Sequence, residues 1–286
     1  MNPWVALPAT GCVILAVAIG WRPLDVHPAR AAKLLATVAA LSVAGIAASL
    51  TATSVAFVRE GASHEASHPW PFTTLAAHRP VSRTVGVMCL VLGALLLASA
   101  ANAARRVWVE RRGARAMSSD LNRSTALLAM AVPGRRGGVV LSRGLRASLS
   151  REELRVVICH ERSHLRHRHH RLLALSMICT AALPPLRRLD RNLRFAVERW
   201  ADEEAATAVG DRRTVARTIA RVALPRTASS SIPALSDTGV AARVEALLAE
   251  PPATSRFAGA AMLTTAGVAG SGVTSSMLQL HHLGIF

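Results

Sequence analysis

Residues 150–164 read Ser-Arg-Glu-Glu-Leu-Arg-Val-Val-Ile-Cys-His-Glu-Arg-Ser-His, and the fold around them turns on this stretch. Ser150 followed by Glu153 is a capping box. The hydroxyl accepts from a free N–H of the first helical turn, and the carboxylate accepts in return from the Ser150 backbone. Leu154, Val157 and Ile158 then give the helix an apolar face. On such a helix His160 and His164 stand one turn apart on the same side. Two neutral imidazoles placed in this way hold one Zn²⁺ at about 2.0–2.1 Å. Glu161 falls beside the metal rather than on it, where it can accept a proton from water. This is the pattern of a zinc hydrolase. A basic, His-rich surface helix would give the same pentapeptide, because His167, His169 and His170 follow at once. A third ligand decides between the two.

Downstream runs Phe195-Ala-Val-Glu-Arg-Trp-Ala-Asp-Glu-Glu-Ala. Glu198 lies 34 residues after His164, room for the rest of one helix, a turn and a second helix. Asp202 follows Glu198 by four residues and shares its helix face. Glu198 is therefore expected to be the third ligand of one zinc per chain. Asp202 is expected to hydrogen-bond a ligand histidine and fix its tautomer. Glu203 and Glu204 read as solvated surface charges. In a chain of net charge +17, an acidic cluster needs a local reason, and a metal supplies one.

The rest of the chain reads as membrane-bound. Mean hydropathy is +0.32 and 51% of residues are hydrophobic, with the charges bunched. Residues 1–21, 34–58 and 84–104 carry no charged side chain, and 257–286 carry none but His281 and His282. Each run reaches the roughly 20 residues that cross about 30 Å of hydrocarbon. The first lacks a basic leader and a cleavage site and reads as a retained span. The last, rich in Gly, Ser and Thr, reads as a weaker span or a tail packed on the others. Run 172–186 is too short to span and ends in Pro184-Pro185. It is expected to continue the metal helix into a buried or membrane-facing turn that the prolines break.

Arg105, Arg106, Arg111, Arg112 and Arg115 crowd the flank of the third span, and Arg22, Arg30 and Lys33 the loop between the first two. The positive-inside rule then puts 22–33 and 105–256 in the cytoplasm and both termini outside, in a multi-pass cell-membrane protein. With no helix-turn-helix and no patch of interleaved aromatics, this charge reads as topological and lipid-facing. Direct nucleic-acid binding is not expected. Cys12, Cys89, Cys159 and Cys179 show no paired spacing, so no disulfide framework is expected.

Residues 105–256 amount to one domain. Residues 124–132 and 138–142 read as strands joined by the turn Pro133-Gly-Arg-Arg-Gly137, a hairpin whose edge could take an extended peptide. Helices are expected over about 190–209, stopping at Gly210, over 211–223 and over 239–249, with a Ser/Pro-rich loop at 225–238.

This order of parts resembles the membrane zinc metalloproteases of the beta-lactam-sensor type, the BlaR/MecR family, related to the HtpX-like and CAAX prenyl proteases. The resemblance covers about 124–210. It rests on the hairpin, Val139-Val-Leu-Ser142, Leu149-Ser-Arg-Glu-Glu-Leu154, the 160–164 motif and Glu198-Arg-Trp-Ala-Asp202. It implies an α-helical membrane protein with about four transmembrane helices and a mainly helical, α+β gluzincin-type protease domain containing a small hairpin. It also implies His160, His164 and Glu198 as zinc ligands, Glu161 as the catalytic base and Asp202 as support for a ligand. The implied substrate is a cytoplasmic protein, a small winged-helix repressor of the BlaI type. Two departures stand out. Relatives often carry Asp where this chain has His169. Sensor members also carry a penicillin-binding domain after the last span, and this sequence ends at Phe286, so no beta-lactam sensing is expected. Two other functions fit the same motifs: an HtpX-like quality-control protease, and a non-catalytic membrane scaffold with structural zinc. Glu161 speaks against the scaffold, because structural zinc needs no base.

Overall fold

The computed structural model describes residues 7–21, 24, 26–65, 82–134, 137–228 and 236–251. Three helices come first: α1 (Leu7–Trp21), α2 (Pro28–Glu65) and α3 (Arg83–Leu121). α2 has 38 residues and α3 has 39. At 1.5 Å per residue each is about 57 Å long, nearly twice the thickness of a bilayer's hydrocarbon. Among the described residues, two stretches are long and apolar enough to cross a membrane, Pro28–Val58 and Arg83–Gly113. α1 has 15 described residues, and the expected span at 257–286 lies outside the described residues. Hydroxyls inside α2 are satisfied within the helix: Ser42 Oγ donates to the Val38 carbonyl at 2.8 Å and Thr53 Oγ1 to that of Ser49 at 2.9 Å.

The long helices do not end at the edges of the charge-free runs. α3 runs unbroken through Arg105 and Arg112. The first half of α2 is core: Ala31, Ala32, Leu35, Ala36, Val38 and Ala39 are all at most 5% exposed. The contrast is the early part of α3, where Val87, Met88, Leu90, Val91, Leu92, Leu95 and Leu97 are 42–68% exposed. α2 and α3 meet closely at Gly86, where any Cβ would collide with the Phe57 ring. Two guanidinium–indole stacks occur, one within α3 and one at the end of α1. Arg112 sits 3.6 Å over Trp108, and Arg188 3.5 Å over Trp21.

The hairpin forms as β1 (Ala129–Val132) and β2 (Gly138–Leu141), antiparallel, with Ala129 opposite Leu141 and Val132 opposite Gly138. β1 is shorter than the expected strand because a buried hydroxyl claims the residues before it. Ser142 Oγ accepts from Leu128 N and Leu145 N, each at 3.1 Å, and donates to the Ala126 carbonyl. The same hydroxyl caps α4 (Arg143–Ser148), a helix that carries no signal of its own in the sequence.

Helix α5 (Arg151–Arg166) begins in the expected capping box. Glu153 N donates to Ser150 Oγ at 3.2 Å and Ser150 N to Glu153 Oε2 at 2.8 Å. The run after the metal motif does not continue this helix, contrary to the expectation from sequence. Arg168 adopts φ 53°, a left-handed conformation that costs a non-glycine residue about 1–2 kcal/mol. The chain turns there into a separate α6 (His169–Ala182) that packs on α2 and α3. Arg111 of α3 holds the start of α6, donating to the His170 carbonyl at 3.0 Å.

After one 3₁₀ turn at Pro184–Leu186, α7 (Arg187–Val209) runs to Gly210, whose φ of 83° stops it. α8 (Arg212–Ala228) and α9 (Ser236–Leu248) complete the order. One core joins α1, α2, α6 and α7 around Leu35, Val38, Leu186, Leu189, Leu193 and Val197. A second joins α5, α7, α8 and α9 around Val156, Ala205, Val215 and Leu247. α7 belongs to both, so the metal helix and the long helices share one support.

Leu193 is fully buried where α7 meets the long helices. Leu193→Ala should cost about 2–5 kcal/mol, read as a lowered thermal midpoint in detergent. Leu97→Ala, at a position 68% exposed on α3, should change stability by no more than about 0.5 kcal/mol. Equal shifts for the two would show that the α2–α7 core does not carry the stability.

Candidate metal centre

α5 and α7 pack side by side, and each presents one polar stripe to the other. α5 offers His160 and His164, and α7 offers Glu198 and Asp202. The Nε2 atoms of His160 and His164 are 3.2 Å apart. Glu198 Oε2 lies 3.5 Å from His160 Nε2, and Oε1 lies 3.7 Å from His164 Nε2. Donors arranged tetrahedrally around one ion at about 2.0–2.1 Å stand about 3.4 Å apart. The histidine pair matches that spacing within a few tenths of an ångström, each carboxylate oxygen of Glu198 lies near one of the two histidines, and one donor atom from each residue falls within 4.8 Å of the others. One imidazole from each of two positions and one carboxylate also make a suitable donor set for a catalytic divalent metal.

Each histidine is oriented from behind. Asp202, 1% exposed, places Oδ1 2.9 Å from His160 Nδ1. A carboxylate only accepts, so Nδ1 carries a proton and Nε2 is the nitrogen that faces the centre. His164 Nδ1 lies 3.0 Å from His169 Nδ1. With the His164 lone pair on Nε2, His164 Nδ1–H donates and His169 Nδ1 accepts. The remaining proton of His169 then sits on Nε2, a buried atom without a hydrogen-bond partner among the described residues. Such an atom costs about 1–3 kcal/mol. A carboxylate at this place would accept the same bond and leave no such proton.

The electrostatics follow from burial and these contacts. Burial opposes a charge on His160, but the Asp202 and Glu198 carboxylates outweigh it and raise the pKa to about 10. Burial lowers His164 to about 4 and His169 to about 3. Burial would raise Glu198 and Asp202, yet both lie well below the usual carboxylate range. His160 and Arg243 hold Glu198 down, and the Arg243 and His160 hydrogen bonds hold Asp202 down.

Arg243 is the residue that sequence reasoning missed. Its Nε donates to Asp202 Oδ2 and its Nη2 to Oδ1, both at 2.7 Å, while Nη1 pairs with Glu198 Oε2 at 3.1 Å. It lies 45 residues after Glu198 on another helix, and no local pattern marks it. Glu203 is also not the surface charge expected of it. It is buried, pairing with Arg199 at 3.3 Å and more closely with Arg212. Arg212 in turn donates to the Leu247 and Ala246 carbonyls at the end of α9. Glu204 pairs with His167.

The centre opens into a cleft of about 410 Å³. Met130, Val157, Leu165, Leu173, Ile219 and Val222 line it with apolar side chains, and Glu161 and Arg243 lie at its polar end with the two histidines and Glu198. Ala129, Met130 and Ala131 of β1 form one wall.

Comparison with known families bears on the same elements. The sequence model of Peptidase family M48 matches residues 115–187, from the end of α3 through the hairpin, α5 and α6. Over this stretch, about a quarter of its length, the chain is similar to peptidase family M48. The match takes in His160, Glu161 and His164 and ends before Glu198 and Asp202. No curated protein and no solved structure matches the chain. M48 peptidases are metalloproteases, and His160, His164 and Glu198 of this chain form a group that could hold a metal ion.

Glu203→Ala should destabilise the protein by about 1–3 kcal/mol, less than the roughly 3–5 kcal/mol of a fully buried pair. The reason is that Arg212 is 21% exposed and keeps its two carbonyl partners. The check is the thermal midpoint of the metal-free protein. An unchanged midpoint would return Glu203 to the surface role.

Proposed function

We propose that this chain is a membrane-anchored zinc endopeptidase of the M48 type that cleaves a cytoplasmic protein. The observation that carries this is the triangle of His160, His164 and Glu198, with Glu161 in the same cleft. His160, His164 and Glu198 would hold one Zn²⁺ per chain, and Asp202 would keep His160 in the ligating tautomer. Zinc, when bound, supplies Lewis acidity that activates water near pH 7 and polarises the scissile carbonyl. The rest falls to the protein. The open edge of β1 receives the substrate as an added strand, and the apolar walls take its side chains. Glu161 accepts the proton of the attacking water and delivers it to the amide nitrogen as the C–N bond breaks.

The anchoring reading has its own support. The exposed apolar band of α3 suits lipid, and the Trp–Arg stacks suit the headgroup region. The Arg excess beside them favours a cytoplasmic catalytic domain over 105–256, with the termini outside. We take a small winged-helix repressor as the substrate class, which makes the enzyme regulatory. The apolar cleft favours a second reading, quality control, since unfolded membrane proteins expose apolar segments. Cleavage of a repressor at one bond supports the first reading. Cleavage of unfolded membrane proteins at many bonds supports the second.

Purified protein should contain one zinc per chain, and His164→Ala and Glu198→Ala should each lose most of it, because a catalytic site rests on three protein ligands. Unchanged metal analysis in either variant would refute its place among the ligands.

Glu161→Gln should keep zinc and lose hydrolysis by about 10²–10⁴-fold, since an amide cannot take the proton. The assay is cleavage of protein substrate by the metal-loaded forms. Wild-type rates from this variant would favour a scaffold with structural zinc.

A further inference from the structure

Arg243 touches both carboxylates of the centre at once, and its contacts divide their oxygens unequally. Both oxygens of Asp202 accept from the guanidinium. Of the Glu198 oxygens, Oε2 is paired with it at 3.1 Å and also lies 3.5 Å from His160 Nε2, while Oε1 lies 3.7 Å from His164 Nε2. A guanidinium presents its N–H groups in one rigid plane, so the three contacts are held together. Resting on the metal-centre reading, we propose that Arg243 is a positioning residue that occupies Oε2 of Glu198 and leaves Oε1 alone for the metal. A carboxylate with both oxygens free at this distance could take two coordination positions. Its second oxygen would add a fifth donor and crowd the place that a catalytic metal keeps for water or substrate. Arg243 also locks Asp202, whose Oδ1 holds His160 Nδ1 at 2.9 Å, so one side chain sets the geometry of two of the three ligands.

The placement of Arg243 is itself built. It comes from α9, whose last carbonyls are held by Arg212, and Arg212 is tied to Glu203 on α7. Glu203 directly follows Asp202, so α7 fixes both the carboxylates and the helix that carries their guanidinium.

Two physical effects of Arg243 oppose each other. Its positive charge repels a divalent cation, and its hydrogen bonds order the ligands. Substitution separates them. Arg243→Lys keeps the charge but offers a compact ammonium that cannot hold all three oxygens. Arg243→Ala removes both.

The test uses the full chain in detergent, with zinc affinity measured by competitive chelation and the visible absorption of the Co²⁺-loaded protein. Both variants should bind zinc about 10–100-fold more weakly, the scale for losing an outer partner of a ligand. Their Co²⁺ bands should also weaken, because coordination above four lowers their intensity. Affinity equal to wild type in Arg243→Lys, with equal or tighter binding in Arg243→Ala, would overturn the proposal and leave Arg243 as mere charge. Weaker zinc binding with unchanged Co²⁺ bands would overturn the division of Glu198's oxygens. Because Arg243→Ala leaves Asp202 buried without its cation and can unfold, Arg243→Lys decides, checked by an unchanged metal-free melting curve. A wild-type protein that takes up neither Zn²⁺ nor Co²⁺ would instead refute the metal centre itself.

Discussion

The contact between Asp202 and His160 is the constraint on which the site depends. It joins α5 to α7 across the protein interior, and it does so through a carboxylate that is 1% exposed. A buried carboxylate is tolerated only when its oxygens are fully engaged. Here the imidazole and the Arg243 guanidinium engage them. That requirement fixes the rotation of α5 against α7, because only one face of each helix can meet it. With the faces fixed, His164 and Glu198 follow from helical spacing, and the donor triangle closes without further instruction from the chain.

The long helices are part of the foundation of the candidate site. The first half of α2 is buried against α7, and α6 packs on α2, α3 and α7. His169, at the start of α6, stands directly behind His164, and the neighbouring His170 carbonyl is held by Arg111 of α3. The metal-binding face is therefore braced by helices that also carry the exposed apolar band. The left-handed Arg168 makes this possible, since a straight continuation of α5 would carry His169 and His170 away from α3. A local cost of about 1–2 kcal/mol is small against the apolar burial that α6 gains, each fully buried aliphatic side chain contributing about 1.5–3 kcal/mol.

Much of the site was legible in the sequence because its chemistry is local. The capping box, the histidines one turn apart and the Glu198–Asp202 pair all lie within single helices, where a period of 3.6 residues ties spacing to direction. Gly210 as a helix stop was legible for a similar reason, as a position that wants positive φ. Elsewhere local signals misled. The Glu203 carboxylate looked like one more charge in an acidic run, but α8 brings Arg212 against it. The apolar run after His170 looked like a prolongation of α5, but packing on α2 and α3 favoured a break. The strand before Val132 lost residues to Ser142, a hydroxyl whose burial no periodicity reports.

The sequence by itself determined most of the helices, the hairpin, the apolar stretches and the candidate donors His160, His164 and Glu198 with Glu161 beside them, because each depends on residues a few positions apart. The tertiary structure alone decided which charges are paired in the interior. It brought Arg243 to Asp202 and Glu198, set Arg212 against Glu203, and put His169 behind His164. The physical reason is the cost of burying charge. A buried carboxylate or guanidinium must find its partner wherever the packed chain supplies one, and that partner's distance in sequence carries no information about its distance in space.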